Sequence, residues 1–323
     1  MENEKIDIEA IHSKNQLSLF GYDDYFESFI KLIQKKHLPH TILFRGQKGI
    51  GKSTFAYHLI NYILSKNEEN QYSLNDLKIN EENKSYKLIN ENTHPNFFLI
   101  ENLTSNDEIK IDQIRKLLNF LNKSTYLKNL KIVMIDNAEN LNRHSSNALL
   151  KALEEPMNDT YFFLIQNSSN RILDTIKSRC VEFKFFLNID KKKIVLENII
   201  KQYKKDINIH PIIEKFYFET PGNLLKFLLI LHDSEFNIAR DNLSCIFYFL
   251  DEYTKNKNLE SLTFASLFIQ KFYNELCIND NNLYKGSINR TKILNYIADM
   301  KKYNLDKNNI IILIKKILKN ESI

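Results

Sequence analysis

Thr41-Ile42-Leu43-Phe44-Arg45-Gly46-Gln47-Lys48-Gly49-Ile50-Gly51-Lys52-Ser53-Thr54 is the stretch on which the fold turns. Its first five residues form a short apolar run of strand character, and just beyond Ser53 the residues Phe55, Leu59 and Ile63 recur at helical spacing. Between strand and helix, Gly46 to Ser53 fits the pattern GxxxxGK[ST] in full. The chain of 323 residues has only six glycines, and three stand at 46, 49 and 51, so the cluster marks a backbone course that side chains resist. In such a loop, successive backbone N–H groups point inward around phosphates, and the helix that follows adds the positive end of its dipole. Lys52 is then expected to reach the β- and γ-phosphates, and the Ser53 hydroxyl to ligate Mg²⁺. The expected contacts for ATP or ADP with Mg²⁺ are Gly46, Gln47, Lys48, Gly49, Ile50, Gly51, Lys52, Ser53 and Thr54.

Outward from the loop, apolar runs at 97–100 (FFLI), 131–136 (KIVMID) and 161–166 (YFFLIQ) alternate with amphipathic helices, and VEFKF at 181–185 adds a short alternating segment. One helix places Ile111, Ile114, Leu118 and Leu121 on a single face, with Ser105 and Glu108 at capping-box spacing before it. Another, SSNALLKALEE, stops at Pro156. Unbroken apolar strands separated by helices predict an α/β domain, a parallel sheet with helices on both faces. The Asn-, Glu- and Lys-rich segment 65–92 reads as a surface excursion with at most weak helix. Beyond residue 186 only helical patterns remain, punctuated by Pro211 and the Pro221–Gly222 pair. The expected division is a nucleotide-binding domain at 1–186, a small helical domain at 187–235 and a larger helical domain at 236–323.

Composition narrows the function classes. With 43% apolar residues and no run of eighteen, the chain reads as a globular protein of the cytoplasm without a membrane span. Its start is polar and acidic where a secretory signal is basic and then apolar. Cys180, Cys245 and Cys277 are far apart and lack CxxC spacing, so they read as buried free thiols. The net charge of +5 is too mild to identify a nucleic-acid surface. Phe and Tyr are scattered at core spacing, which does not suit a base-stacking platform.

Asp136 ends the strand KIVMI, where a phosphate-loop protein needs a carboxylate for the magnesium shell. Four blocks now stand together in order: HLPHTILFRGQKGIGKST, IVMIDNAENL, SSNALLKALEEP and Ser178-Arg179-Cys180. Together they resemble the delta-prime and gamma/tau group of bacterial DNA polymerase III clamp-loader subunits, in the AAA+ branch of phosphate-loop proteins. The likeness covers residues from about 19 to 185, and the helical remainder by overall pattern.

The resemblance implies a lid domain at 187–235, a collar that joins a pentamer at 236–323, and a role for each matching residue. Asn167 matches the polar sensor of the γ-phosphate, although on bare sequence it is equally a turn former after a strand. Arg179 matches the arginine finger presented to ATP on a neighbouring subunit. Asn137 stands where hydrolysing members have a water-activating Glu, and an amide cannot take the water's proton. Glu139, two residues on, is acidic in relatives too and is not expected to substitute. Gly222 stands where the lid's sensor arginine is expected. Relatives that bind zinc carry four cysteines before the block Thr93-His94-Pro95-Asn96, and this chain has none there, so no zinc site is expected.

Implied, then, is a delta-prime-type stator with weak or absent ATPase activity. Its implied partners are the gamma/tau and delta subunits and, through the assembly, the sliding clamp and primed DNA. The alternatives are an active gamma/tau-type ATPase, which Lys52, Ser53 and Asp136 permit, and a phosphate-loop protein outside replication.

Overall fold

The computed structural model describes residues 12–102, 108–123, 130–157, 159–168, 170–202, 216, 219–232, 241–279, 283–302 and 307–321. The chain separates into two compact units, the first formed by residues up to 209 with 213–233, the second by 210–212 with 234–323.

Five parallel strands organise the first unit: β1 (Thr41–Gly46), β2 (Phe97–Ile100), β3 (Lys131–Ile135), β4 (Thr160–Asn167) and β5 (Val181–Lys184), in the order β2-β3-β4-β1-β5. Strand alternation sends neighbouring side chains to two separate cores. Ile42, Phe44, Ile132, Met134, Phe163 and Ile165 face one. Leu43, Val133, Ile135, Phe162 and Leu164 face the other. Helices α1 (Asp23–Gln34) and α2 (Lys52–Leu64) cover the first face. The second is covered by α4 (Ile111–Asn122), α5 (Arg143–Glu154) and the single turn α6 (Asp174–Lys177). Along β1, β3 and β4 both faces are buried, which is why these strands read as unbroken apolar runs, whereas the edge strand β5 is partly exposed and alternates.

Two local expectations change. In α4 the buried stripe is Ile114, Leu117 and Leu121, with Leu118 packed at its margin. That helix starts at Ile111, and Gln113 Oε1 accepts from Lys110 N at 2.9 Å. Ser105, expected to cap it, lies outside the described residues.

The excursion at 65–92 is also more ordered than its composition suggests. It contains α3 (Lys84–Asn90), whose cap residue Asn83 accepts from Tyr86 N at 2.7 Å and from Asn61 Nδ2 of α2 at 3.0 Å. Leu19 N donates to Leu77 O at 3.0 Å and Ile79 N to Leu17 O at 2.8 Å, stitching the excursion to the segment before α1. Tyr72, Ile79 and Ile89 are buried in the first core. Three apolar anchors among many polar residues suffice for docking, but they have no helical or strand period to betray them.

His58 of α2 fastens this junction. It is fully buried, with Nδ1 2.9 Å from Tyr72 Oη and Nε2 3.0 Å from Gln16 O. Burial holds the imidazole down to about 3, so the folded state keeps it neutral. Because its folded pKa lies below its unfolded one, the neutral ring costs nothing at pH 7, and the protein loses stability as pH falls below about 6.5. Lowering pH from 6.5 to 5 is expected to remove about 2 kcal/mol through this residue. Urea unfolding of wild type and His58→Gln across that range checks it; equal pH slopes would refute the assignment.

α7 (Ile189–Gln202) packs against α8 (Pro221–His232) within the first unit. The second unit holds α9 (Asn242–Asn256), α10 (Leu259–Asn279), α11 (Leu283–Lys302) and α12 (Lys307–Glu321). Its core includes Phe249 and Phe268, whose rings stack at 5.8 Å, with Tyr253 and Tyr273 buried beside other apolar groups. Cys245 is buried there and Cys180 is half-buried in the first unit; both are free thiols, while the side chain of Cys277 lies outside the described residues. Among the described residues no helix is long and apolar enough to cross a membrane.

Candidate nucleotide-binding site

The loop leaves β1 at Gly46 and enters α2 at Lys52, as the motif requires. Gly49 and Gly51 adopt φ of +77° and +101°, a left-handed course that a side chain would strain. Gly51 is the N-cap of α2, so the orphan N–H groups of its first turn open toward the loop. The loop is supported from beneath by Tyr22, whose hydroxyl donates to Ile50 O at 2.7 Å. Nothing in the spacing of the sequence announced that role for Tyr22.

Lys52 is buried, and its Nζ donates to Gly46 O at 3.0 Å, Gln47 O at 2.7 Å and Asn167 Oδ1 at 3.1 Å. Desolvation lowers its ammonium to about 8, against the pull of Asp136 and Glu139. An incoming phosphate oxygen is a stronger partner than these neutral carbonyls, because both members of the bond are then charged.

Ser53 Oγ donates to Asp136 Oδ2 at 3.1 Å, bringing together the two groups expected at magnesium. Asp136 Oδ1 accepts from Asn137 N at 2.8 Å. Burial raises the Asp136 carboxyl, while these donors and Lys52 act in the opposite direction. A hydroxyl and a carboxylate at contact distance, beside a loop of positive-φ glycines, fit a Mg²⁺–nucleotide complex.

Asn167, the last residue of β4, is the hub of the polar network. Its Nδ2 donates to Asn137 Oδ1 and to Glu139 Oε1, each at 2.8 Å, and its backbone N also faces the Glu139 carboxylate. Its Oδ1 meanwhile accepts from Lys52, so every polar atom of the amide has a protein partner. Asn137 has φ of +52°, a left-handed conformation that asparagine tolerates. Glu139 is thereby engaged as the anchor of Asn167, and burial raises its carboxyl. The sequence placed Asn167, Asn137 and Asp136 near one another but gave no sign of the Glu139–Asn167 pair.

Gln47, Lys48, Ile50 and Thr54 complete the loop and first turn; Gln47 and Lys48 are exposed, Thr54 is half-buried and Ile50 packs inward. Gly222, at the start of α8, lies directly on the loop: its N donates to Gly49 O at 2.9 Å.

Arg179 is apart from this network, on the turn after α6. Its Nε donates to Glu154 Oε1 at 2.7 Å and its Nη1 to Thr175 O at 2.8 Å, with Nη2 also on Glu154. A carboxylate from α5 and a carbonyl of its own turn thus fix the guanidinium.

A family model described as DNA polymerase III, delta subunit, matches residues 21–188. DNA polymerase III subunit delta' of Pseudomonas aeruginosa is 36% identical over 111 residues, covering 34% of this chain and 32% of that protein. The corresponding protein of Buchnera aphidicola subsp. Schizaphis graminum is 26% identical over 125 residues, covering 39% of this chain and 36% of its own length. The matched stretch is therefore about a third of these relatives' length. The structure of a DNA polymerase III gamma subunit-related protein from Thermotoga maritima superposes with a TM-score of 0.49 at 18% identity, covering 90% of this chain and 98% of that one. Since the family model takes in β1 to β5 together with the phosphate loop, Asp136, Asn167 and Arg179, the chain belongs to the DNA polymerase III delta subunit family.

Proposed function

We propose that this chain is a delta-prime-type subunit of a bacterial clamp loader, a stator that binds nucleotide weakly or structurally and lends Arg179 to ATP on a neighbouring subunit. In this reading residues 1–186 form the AAA+ domain, 187–235 its lid and 236–323 the collar. The partners are gamma/tau and delta subunits and, through the assembled ring, the sliding clamp and primed DNA, all in the cytoplasm.

The observation that carries the reading is the side chain next to Asp136. Asn137 is an amide whose Oδ1 is already taken by Asn167 Nδ2 at 2.8 Å. It can orient a water, but it cannot accept the proton that attack on phosphorus releases. Glu139, the other acid at hand, is bonded to Asn167 through both amide donors. Bound Mg²⁺ would supply charge neutralisation at the β- and γ-phosphates; Ser53 and Asp136 would hold it, and Lys52 would hold phosphate oxygens.

Ser53 and Asp136, in contact at 3.1 Å, keep one other reading alive, that of a hydrolysing gamma/tau-type subunit. ATP turnover by the purified chain separates the two. The stator reading expects turnover near background, with Mg²⁺–ATP binding lost in Lys52→Ala. Robust turnover by the chain alone, abolished by Lys52→Ala and indifferent to Arg179→Ala, would establish the motor instead.

A further inference from the structure

The phosphate loop is gripped from outside by the start of α8. Thr220 Oγ1 donates to Lys48 O at 2.7 Å, and Gly222 N donates to Gly49 O at 2.9 Å. Gly222 is the second residue of α8, so its N–H is one of the donors that no helical carbonyl satisfies. The loop supplies the missing acceptor.

Gly222 meets Gly49 backbone to backbone, while Gly49 is faced by the side-chain oxygens of Thr220 and Asn223 as well as by Asn223 N. A Cβ on Gly222 would stand 2.7 Å from Gly49 O and 3.1 Å from Gly49 Cα. A Cβ on Gly49 would stand 2.6 Å from Thr220 Oγ1 and 3.0 Å from Asn223 N. Two glycines face to face are therefore needed for this approach. The φ of Gly222 lies outside the left-handed range that demands glycine, so its lack of a side chain answers to the neighbour rather than to its own turn.

We propose that Thr220 and Gly222 form a fixed clamp on the phosphate loop, holding residues 48 and 49 in a phosphate-receiving course before any nucleotide arrives. An arginine at position 222 could not coexist with this contact. The absence of the lid cation and the presence of the clamp are then one feature: α8 buttresses the loop instead of moving to meet a γ-phosphate. The clamp itself depends only on the contacts above; its effect on affinity rests on the nucleotide-site reading.

The test uses the full chain, with Thr220→Val to remove the hydroxyl at constant shape, Thr220→Ser to restore it, and Gly222→Ala to force the backbones apart. Amide hydrogen exchange is followed in peptides covering 46–54 and 219–232, without nucleotide and with Mg²⁺–ATP. Expected is protection of the Gly222 amide without nucleotide that ATP leaves unchanged. Thr220→Val and Gly222→Ala should each speed exchange in both peptides together by about tenfold, with Thr220→Ser near wild type. Protection that appears only with ATP, or variants that leave both peptides unchanged, would overturn the clamp. Calorimetry then reads Mg²⁺–ATP affinity: Kd should rise roughly three- to tenfold in both loosened variants. An unchanged Kd with faster exchange would overturn the claim that the clamp shapes the loop for phosphate. No ATP binding by wild type would overturn the nucleotide reading, and the exchange data would still decide the clamp.

Discussion

In the proposed stator, replacing Arg179 by alanine is expected to lower ATP turnover at the neighbouring subunit's site in the assembled complex by about three orders of magnitude. A guanidinium brought to the transferring phosphoryl group spreads the charge that develops there, and its planar fork meets two oxygens at once. In this chain the group is poised rather than loose: Glu154 and Thr175 O hold three of its nitrogens' bonds, and the side chain is 28% exposed. In that role the guanidinium would exchange a carboxylate partner for a phosphate one, so charge pairing would be conserved on delivery. Arg179→Lys is expected to recover little, since an ammonium is a point charge without the fork. The loss should not come from unfolding, because a partly exposed ion pair of this kind contributes at most about 1 kcal/mol. Turnover of the reconstituted complex and thermal unfolding of the isolated variant check both halves. Unaltered turnover in the complex would remove Arg179 from the mechanism.

The largest stability effect is expected at Phe55, where alanine should cost about 4 kcal/mol. Phe55 is fully buried in α2, one turn past the phosphate loop. Its ring lies 5.0 Å from Phe185, 5.4 Å from Phe29, 5.6 Å from Phe26 and 5.7 Å from Phe44, all edge-on, with Tyr22 at 6.0 Å. Removing it leaves a cavity walled by rings from α1, β1 and the segment after β5, which cannot all collapse inward together. Edge-to-face pairing adds to the loss beyond buried area. Tyr22 is also the residue that carries Ile50 O, so nucleotide affinity should fall alongside stability. Chemical denaturation checks the magnitude; a loss below about 1 kcal/mol would mean that the cluster repacks.

How far the sequence reaches differs between these sites. The loop, Asp136, Asn167 and Arg179 were all named from motif and resemblance, and the structure brings Lys52, Ser53, Asp136 and Asn167 together in one polar network. Glycine at positive φ and a strand that feeds a helix are local needs, and local needs leave local signatures. The order within the excursion at 65–92 is hidden for the converse reason: it rests on Asn83 and three spaced apolar anchors, a pattern without period.

By itself the sequence determined an α/β sheet with both faces covered, a phosphate loop between its first strand and the next helix, and an all-helical remainder. Alternation and helical spacing encode which face of each element is apolar, and that is enough to build layers. Strand order, the pairing of Glu139 with Asn167, the hold of Glu154 on Arg179 and the meeting of Gly49 with Gly222 were decided only in three dimensions. Each joins groups remote in sequence, and whether a donor finds its acceptor there depends on how the layers stack, which no local period records.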